Sequence, residues 1–321
     1  MSSYDPLPVV VVGAGMSGVA CARVLDAAGL SVVVRDRGKR IGGRMAVRTT
    51  QDRPVDVGAA YFTVRSDEFG AVVRDWQERG LARPWTDTFH VAGPDGIEGT
   101  SSGPVRWAAP GGLRSLVEDL AKGLVVERFH DVAEVDAGPV VDGEPVRAVV
   151  LAMPDPQAVD LLSDELSEER SKLYDAAWEP ALSLYAGWSE RCWPEIDGVF
   201  VNGSDSLSWI ADDGRRRGDE APVLVAHSSP QLAALYLDDP DGARDALIAA
   251  VRRVLGIDRE PEWAVVKRWG LARPSQPREE SFHLGDSLVG LCGDGWCAPS
   301  RIEAAFLSGS RLGAALGDRL G

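Results

Sequence analysis

The sequence predicts an α/β fold, in which a lobe built on a parallel sheet is interleaved with a second, α+β lobe. Two stretches carry the prediction. The first 36 residues read as strand, glycine turn, helix, strand, and a second strand–glycine turn–helix pattern begins near residue 289. The same lobe therefore draws on distant segments. The third observation is size: 321 residues with 45% hydrophobic content suffice for one large domain or two intertwined ones.

Val9 to Val12 are four consecutive valines, as expected of a strand buried on both faces. They lead into Gly13-Ala14-Gly15-Met16-Ser17-Gly18. Helical spacing continues through Val19, Ala20, Ala22, Val24, Leu25 and Ala28, and Gly29 stops it. A β-branched run from Ser31 to Val34 then ends on Arg35 and Asp36. This is the Rossmann-type fingerprint of a dinucleotide site. Gly13 permits the sharp turn, Gly15 lets the backbone approach a pyrophosphate, and Gly18 lets the helix pack on the sheet. The helix N-terminus offers free N–H groups and a positive dipole to the phosphates. Asp36 is placed to accept hydrogen bonds from a ribose diol.

The next residues narrow the choice of nucleotide. After Asp36 come Arg37, Arg40 and Ile41-Gly42-Gly43-Arg44-Met45, a second glycine pair with a guanidinium suited to phosphate. Here the sequence resembles the FAD-binding amine-oxidase superfamily, whose members carry an acid followed by a GGR element; there the acid is usually Glu. The resemblance implies FAD, held non-covalently. At the other end, Val289 to Cys292 reads as a short buried strand, leading to Gly293-Asp294-Gly295-Trp296-Cys297 and to Arg301-Ile302-Glu303-Ala304. Helical spacing runs from Ile302 to Leu320. In the resembling family this aspartate lies beside the ribityl or phosphate groups, and the helix points its N-terminus at the pyrimidine end of the flavin. A helix dipole would stabilise negative charge there. The resemblance also makes Val132 to Val135 a strand whose backbone holds adenine, and Arg147 to Met153 a buried strand before the second lobe.

Within the superfamily the likeness is closest to bacterial renalase-like proteins. It rests on Asp56-Val57-Gly58-Ala59-Ala60-Tyr61-Phe62-Thr63, Pro110-Gly111-Gly112-Leu113, Leu207-Ser208-Trp209-Ile210-Ala211, Arg268-Trp269-Gly270-Leu271-Ala272-Arg273-Pro274 and Cys292 to Gly309. Two departures, Gly270 and Gly295, fall near the implied active site and bear on its shape. The expected division puts residues 1–60, 105–155 and 286–321 in the FAD lobe, and 61–104 and 156–285 in the substrate lobe. In the latter, residues 161–178 and Asp241 to Leu255 read as helices, the second N-capped by Asp239 or Asp241. Leu182 to Trp188, Gly198 to Val201 and Val223 to His227 read as strands, and Asp212 to Glu220 as a charged surface loop.

Composition excludes other classes. A net charge of −15 argues against nucleic acid as a partner. Cysteines 21, 192, 292 and 297 form no CxxC pattern and the four histidines stand apart, so no metal site is expected. Cys297 reads as a free thiol rather than a flavin attachment point. No apolar run approaches the roughly 20 residues of a membrane span, and no basic–apolar leader is visible. A cytoplasmic monomer or weak homodimer, making no membrane contact, is the expectation.

The FAD-lobe residues singled out are Gly13, Gly15, Met16, Ser17, Gly18, Asp36, Arg37, Gly43, Arg44, Met45, Val132, Gly293, Asp294, Arg301, Ile302, Glu303 and Ala304, with Gly58, Ala59, Ala60 and Tyr61 from the turn that faces the flavin in the family. Around the substrate, the resemblance points to Tyr61 and His227. Trp209, Trp269 and Trp296 could stack on a nicotinamide or wall the pocket, although in a chain with 10 tryptophans each is more often core. Arg65, Arg273 and the Arg215–Arg217 run could catch substrate phosphates; the run reads more readily as solvated. No acid–base constellation is evident. This suits a dihydropyridine that donates hydride to flavin without losing a proton. The renalase likeness implies oxidation of 2- and 6-dihydro isomers of NAD(P)H to NAD(P)+, with molecular oxygen as acceptor and H2O2 as by-product. A flavin amine oxidase or desaturase, and a non-catalytic flavin-binding protein, are the alternatives.

Overall fold

A computed structural model describes residues 7–173 and 177–321. The chain divides into two compact units. Met1–Arg44, Val117–Ala177 and Arg273–Gly321 make the first, and Met45–Leu116 with Trp178–Ala272 the second. Residues 45–60 and 105–116 thus pack in the second unit, and 156–173 and 273–285 in the first. The ion pair of Asp56 with Arg217, 2.9 Å apart, shows what ties the first of these segments to its unit.

The first unit is built on a six-stranded sheet in the order His283–Leu284, Val289–Leu291, Ala148–Leu151, Val9–Val12, Val32–Asp36, Val125–Arg128. All pairs are parallel except the antiparallel His283–Leu284 edge. The valine run is buried on both faces. One face packs Val10, Val12, Val149, Leu151 and Leu291 with Leu162, Leu166 and Trp296. The helix Met16–Ala27 comes after the glycine turn, and Gly29, at φ +80°, ends it by donating to Asp26 at 2.9 Å.

Two expected elements of this unit are corrected. Only Ser167–Lys172 of residues 161–178 is helical, and 174–176 lie outside the described residues. The cause is backbone pairing: Val135 donates to Leu161 at 2.7 Å and accepts from Ser163 at 3.0 Å, which holds 161–163 extended. Conversely, residues 132–134 form no strand, the element being Val135–Asp136 alone. The N–H groups of Ala133 and Glu134 donate instead to the Asp142 carboxylate, at 2.8 and 3.0 Å.

The second unit carries a seven-stranded sheet in the order Trp263–Pro274, Trp178–Gly187, Val223–Ser228, Leu207–Asp212, Gly198–Val201, Arg83–Gly93, Gly96–Ala108. Gly198–Val201 runs parallel to Arg83–Gly93, while its other neighbour is antiparallel. The ribbon Val47–Thr50/Arg53–Asp56 precedes it in sequence. The helix Arg244–Leu255 closes a core of Leu182, Leu184, Ile210 and Leu224 with Leu247 and Val251. It begins later than expected. A 3-10 turn, Pro240–Ala243, takes up residues 240–243, and neither Asp239 nor Asp241 caps it.

The main correction concerns residues 212–220. Only 218–220 are the exposed loop expected: Asp213–Arg217 is a short helix, capped where the Asp212 carboxylate accepts from Arg215 N–H at 2.9 Å and ended by Gly218 at φ +84°. Asp213, Arg216 and Arg217 are 0%, 1% and 5% exposed. Charges at that depth persist only when paired.

Candidate cofactor and substrate sites

In the first unit, sterics explain two of the three fingerprint glycines. Gly13 sits at φ +105°, and a Cβ there would stand 2.6 Å from the Ala152 carbonyl. A Cβ on Gly18 would meet the Gly13 carbonyl at 1.9 Å. Gly15 differs: nothing lies within 4 Å of its Cβ position. That open face stands at the start of Met16–Ala27, whose first-turn N–H groups receive no side-chain cap. Unclaimed donors at a helix start together with an open glycine fit an incoming phosphate group. Gly43 faces the same turn, its Cβ position 3.5 Å from Gly15 Cα, and Gly42 N–H donates to Ala14 at 2.8 Å.

Asp36 stands at the expected strand end. Its two oxygens accept from the N–H groups of Ala14 at 2.7 Å and Gly38 at 2.6 Å, which draws the acid onto the glycine turn and leaves each oxygen one lone pair for a ribose. Arg37 is exposed and Val132 is buried in the core of this unit. Arg44 and Asp294, 250 residues apart, are brought together as a bidentate pair; one arm measures 3.0 Å, and Ser300 donates to the same carboxylate at 2.6 Å. The sequence pointed to each of them separately.

The helix Ile302–Leu320 also starts without a side-chain cap, after Arg301. It runs parallel to Met16–Ala27, with Gly309 against Ser17, Gly313 against Cys21 and Gly317 against Ala28. At Gly309 the approach is so close that a Cβ would fall 1.9 Å from the Ser17 carbonyl. Glu303 and Ala304 are buried at the helix start, with Ile302 half-buried. Trp296 departs from the expected pocket wall: it is 4% exposed within the core, with the Arg278 guanidinium 4.4 Å from its ring centroid. Gly295 serves the same turn, its carbonyl accepting from Arg278 N–H at 2.8 Å. Cys297 is a free thiol, and Arg273 is exposed.

The second unit gathers the expected substrate residues Tyr61, Trp209 and His227. Phe89 packs against two of them, 5.3 Å from Tyr61 and 6.2 Å from Trp209 between ring centroids. His227 tilts against Trp209 at 5.3 Å. Strand register accounts for this, since Trp209 pairs with His227 in adjacent strands. Burial, reinforced by the Arg216 charge and opposed by a backbone hydrogen bond to Gly58, lowers the His227 pKa to about 4. The imidazole is therefore neutral at ordinary pH. Burial raises the Tyr61 pKa, and the Arg106 charge and hydrogen bond oppose it. The Trp209 indole N–H is buried with no partner among the described residues. Trp269 stands in a neighbouring cluster with Tyr185 and Val57, its indole donating to the Val57 carbonyl at 2.8 Å. Gly270 is exposed, with open space at its Cβ position, and Arg65 is exposed.

The Gly58–Tyr61 segment is held by the very arginines that were expected in a solvated loop. Arg216 donates to the Ala60 carbonyl at 2.8 Å and to the Asp56 carbonyl at 3.3 Å. Arg217 pairs with the Asp56 carboxylate and donates to the Pro110 carbonyl at 3.1 Å. Asp213 receives Arg216, Arg217 and, at 2.6 Å, Arg53. Burial works to raise the Asp213 pKa, but these three charges outweigh it and hold the carboxyl below its usual range. Met45 is buried in the turn Gly43–Met45, and its neighbour Val47 packs where a Cβ on Gly112 would fall.

Fold and turn together define a protein with a Rossmann-like dinucleotide-binding domain. Residues 11–78 match the NAD(P)-binding Rossmann-like domain, and residues 91–315 match the flavin containing amine oxidoreductase family. The chain belongs to that family, and FAD is its cofactor. Among curated relatives, putrescine oxidase of Kocuria rosea is 32% identical over 124 residues, 37% of this chain and 25% of that protein. Amine oxidase B of Sus scrofa is 48% identical over 54 residues, 16% and 10% respectively. The matched stretches thus span a quarter or less of those relatives' own lengths. Among solved structures, an engineered triple variant of putrescine oxidase superposes with a TM-score of 0.77 at 15% identity, covering 98% of this chain and 99% of that one. Cyclohexylamine oxidase from Brevibacterium oxydans gives 0.77 at 13% identity, covering 98% and 100%. These likenesses concern the fold.

Proposed function

We propose that the chain is an oxidase of renalase type, in which the first unit holds FAD and the second receives a dihydropyridine isomer of NAD(P)H. The observation that carries the reading is the surface around Tyr61, Trp209 and His227. It is aromatic, its imidazole is neutral, and the charged groups that bear on it, Arg106 and Arg216, are cations. Such a surface disfavours an ammonium substrate and accepts a flat, uncharged ring. The buried Trp209 N–H has a donor to offer that ring's carboxamide.

FAD, when bound, supplies the redox chemistry, accepting a hydride and delivering two electrons to oxygen. The overall balance is a dihydropyridine, O2 and one proton giving the pyridinium and H2O2. No proton leaves the reacting carbon, so no strong base is needed. The protein's tasks are to stack and orient the ring and to exclude water. His227, held neutral, adds no further positive charge beside the forming pyridinium.

Anaerobic mixing of the flavoprotein with 2- or 6-dihydro-NAD(P), and separately with small amines, tests the reading. Bleaching of the oxidised flavin by the dihydropyridines is expected. Bleaching by amines alone would replace the reading with an amine oxidase. Bleaching by neither would favour a non-catalytic flavin-binding role.

A further inference from the structure

In a chain of net charge −15, a group of cations gathers beside aromatic rings at one edge of the second unit's sheet. Lys267 projects from the strand Trp263–Pro274 at the edge of the seven-stranded sheet, and its ammonium stands 5.3 Å from the Trp269 ring centroid. Trp269 is fixed by its bond to the Val57 carbonyl and packs with Val55, Tyr185 and Trp263. Arg48 approaches from the ribbon, where its strand partner is Val55, a member of that cluster. Its charge acts on both Lys267 and Tyr185.

Among the described residues no carboxylate pairs with Lys267 or Arg48. The contrast within the same unit is direct, since Arg53, Arg216 and Arg217 each meet an aspartate. Arg268, the third cation, has Asp238 at 3.9 Å and the Leu237 carbonyl at 3.2 Å. Burial lowers the Lys267 pKa, and the Arg48 and Arg268 charges lower it further. Like charges held together on a partly desolvated surface are relieved by an anion. A compact ammonium beside a forked guanidinium suits phosphate oxygens, and the indole face beneath supports the cation.

We propose that Lys267, over the Trp269 ring, and Arg48, on the ribbon whose Val55 packs in the same cluster, form an anion subsite that receives a phosphate group of the substrate. The proposal deepens the dinucleotide reading and rests on it only for the molecule that carries the phosphate.

The probe is inorganic pyrophosphate, titrated calorimetrically into the FAD-loaded protein so that the cofactor's own phosphate site is filled. Saturable binding that weakens with added salt is expected. Lys267→Met and Arg48→Met should each weaken it at least about tenfold, whereas Lys267→Arg should retain it. Thermal melting of each variant separates lost binding from lost folding. Failure of the native protein to bind pyrophosphate, or equal binding by both methionine variants, overturns the subsite. Pyrophosphate binding without bleaching by dihydropyridines leaves the subsite standing and removes the renalase reading. Bleaching without pyrophosphate binding does the reverse.

Discussion

Replacing Arg216 with methionine probes the link between the buried arginine helix and the Gly58–Tyr61 segment. The side chain is 2% exposed, and methionine keeps much of its apolar volume while removing the guanidinium. Four bonds are lost: two to the Asp213 carboxylate, one to the Ala60 carbonyl at 2.8 Å and one to the Asp56 carbonyl at 3.3 Å. Breaking a buried pair from one side costs about 3–5 kcal/mol. Asp213 keeps Arg53 at 2.6 Å and Arg217 at 3.4 Å, which places the loss near the lower end, about 3 kcal/mol. For a unit of this size, 1 kcal/mol moves the melting temperature by roughly 2–4 °C, so a fall of about 6–12 °C is expected. Calorimetry and urea unfolding measure it. A loss below about 1 kcal/mol would refute the assignment of Arg216 as the anchor of this segment. Imidazole NMR supplies a second readout. The His227 pKa should rise from about 4 without the neighbouring charge, yet stay below its ordinary value because burial remains.

Three further outcomes are expected. His227 titrates below its ordinary value when folded, so the unfolded chain takes up the proton first. Stability should fall as pH drops from about 6.5 toward 4, by roughly 3 kcal/mol for this group, and His227→Asn should remove that part of the fall in melting temperature. Gly15→Ala should leave the melting temperature of the flavin-free protein nearly unchanged while cutting FAD retention. Gly18→Ala, facing a carbonyl at 1.9 Å, should lower both, and a normal melting temperature there would contradict the packing. Asp36→Ala should weaken FAD retention, measured by flavin released on denaturation, because its two backbone bonds tie the glycine turn to the strand. Trp209→Ala should spare retention, and equal loss in both would contradict the site assignments.

The readable parts of the sequence were those whose physics is local. Val9–Val12 and Ile302–Leu320 appear at the expected bounds because burial pattern and helical spacing lie within each segment. The glycine turn was legible because Gly13 and Gly18 answer to backbone atoms of the same unit. Arg216 and Arg217 were misread because their partners Asp56 and Ala60 lie some 160 residues away. A local signal did exist: Asp213 precedes Arg216 and Arg217 by three and four residues, the spacing of opposite charges on one helix face. Residues 161–163 were misread because Val135, some 26 residues earlier, decides their backbone bonding, and 132–134 because the Asp142 side chain, eight or nine residues on, takes the N–H groups a strand would use. Trp296 could not be told from a pocket residue by type alone, and the core claimed it.

The contact of Gly309 with Ser17 also sets an order of assembly. The second unit is complete in sequence at Ala272, whereas the first must await the strand Val289–Leu291 and the helix after it. Until then the helix behind the glycine turn lacks the helix that packs against it, and Val149 to Leu151 have only one of their two neighbouring strands. Closing contacts across nearly three hundred residues is slow and leaves apolar edges open meanwhile. Truncation near residue 300 would therefore strip the first unit of the helix that packs on Ser17 while leaving the second unit's sequence whole.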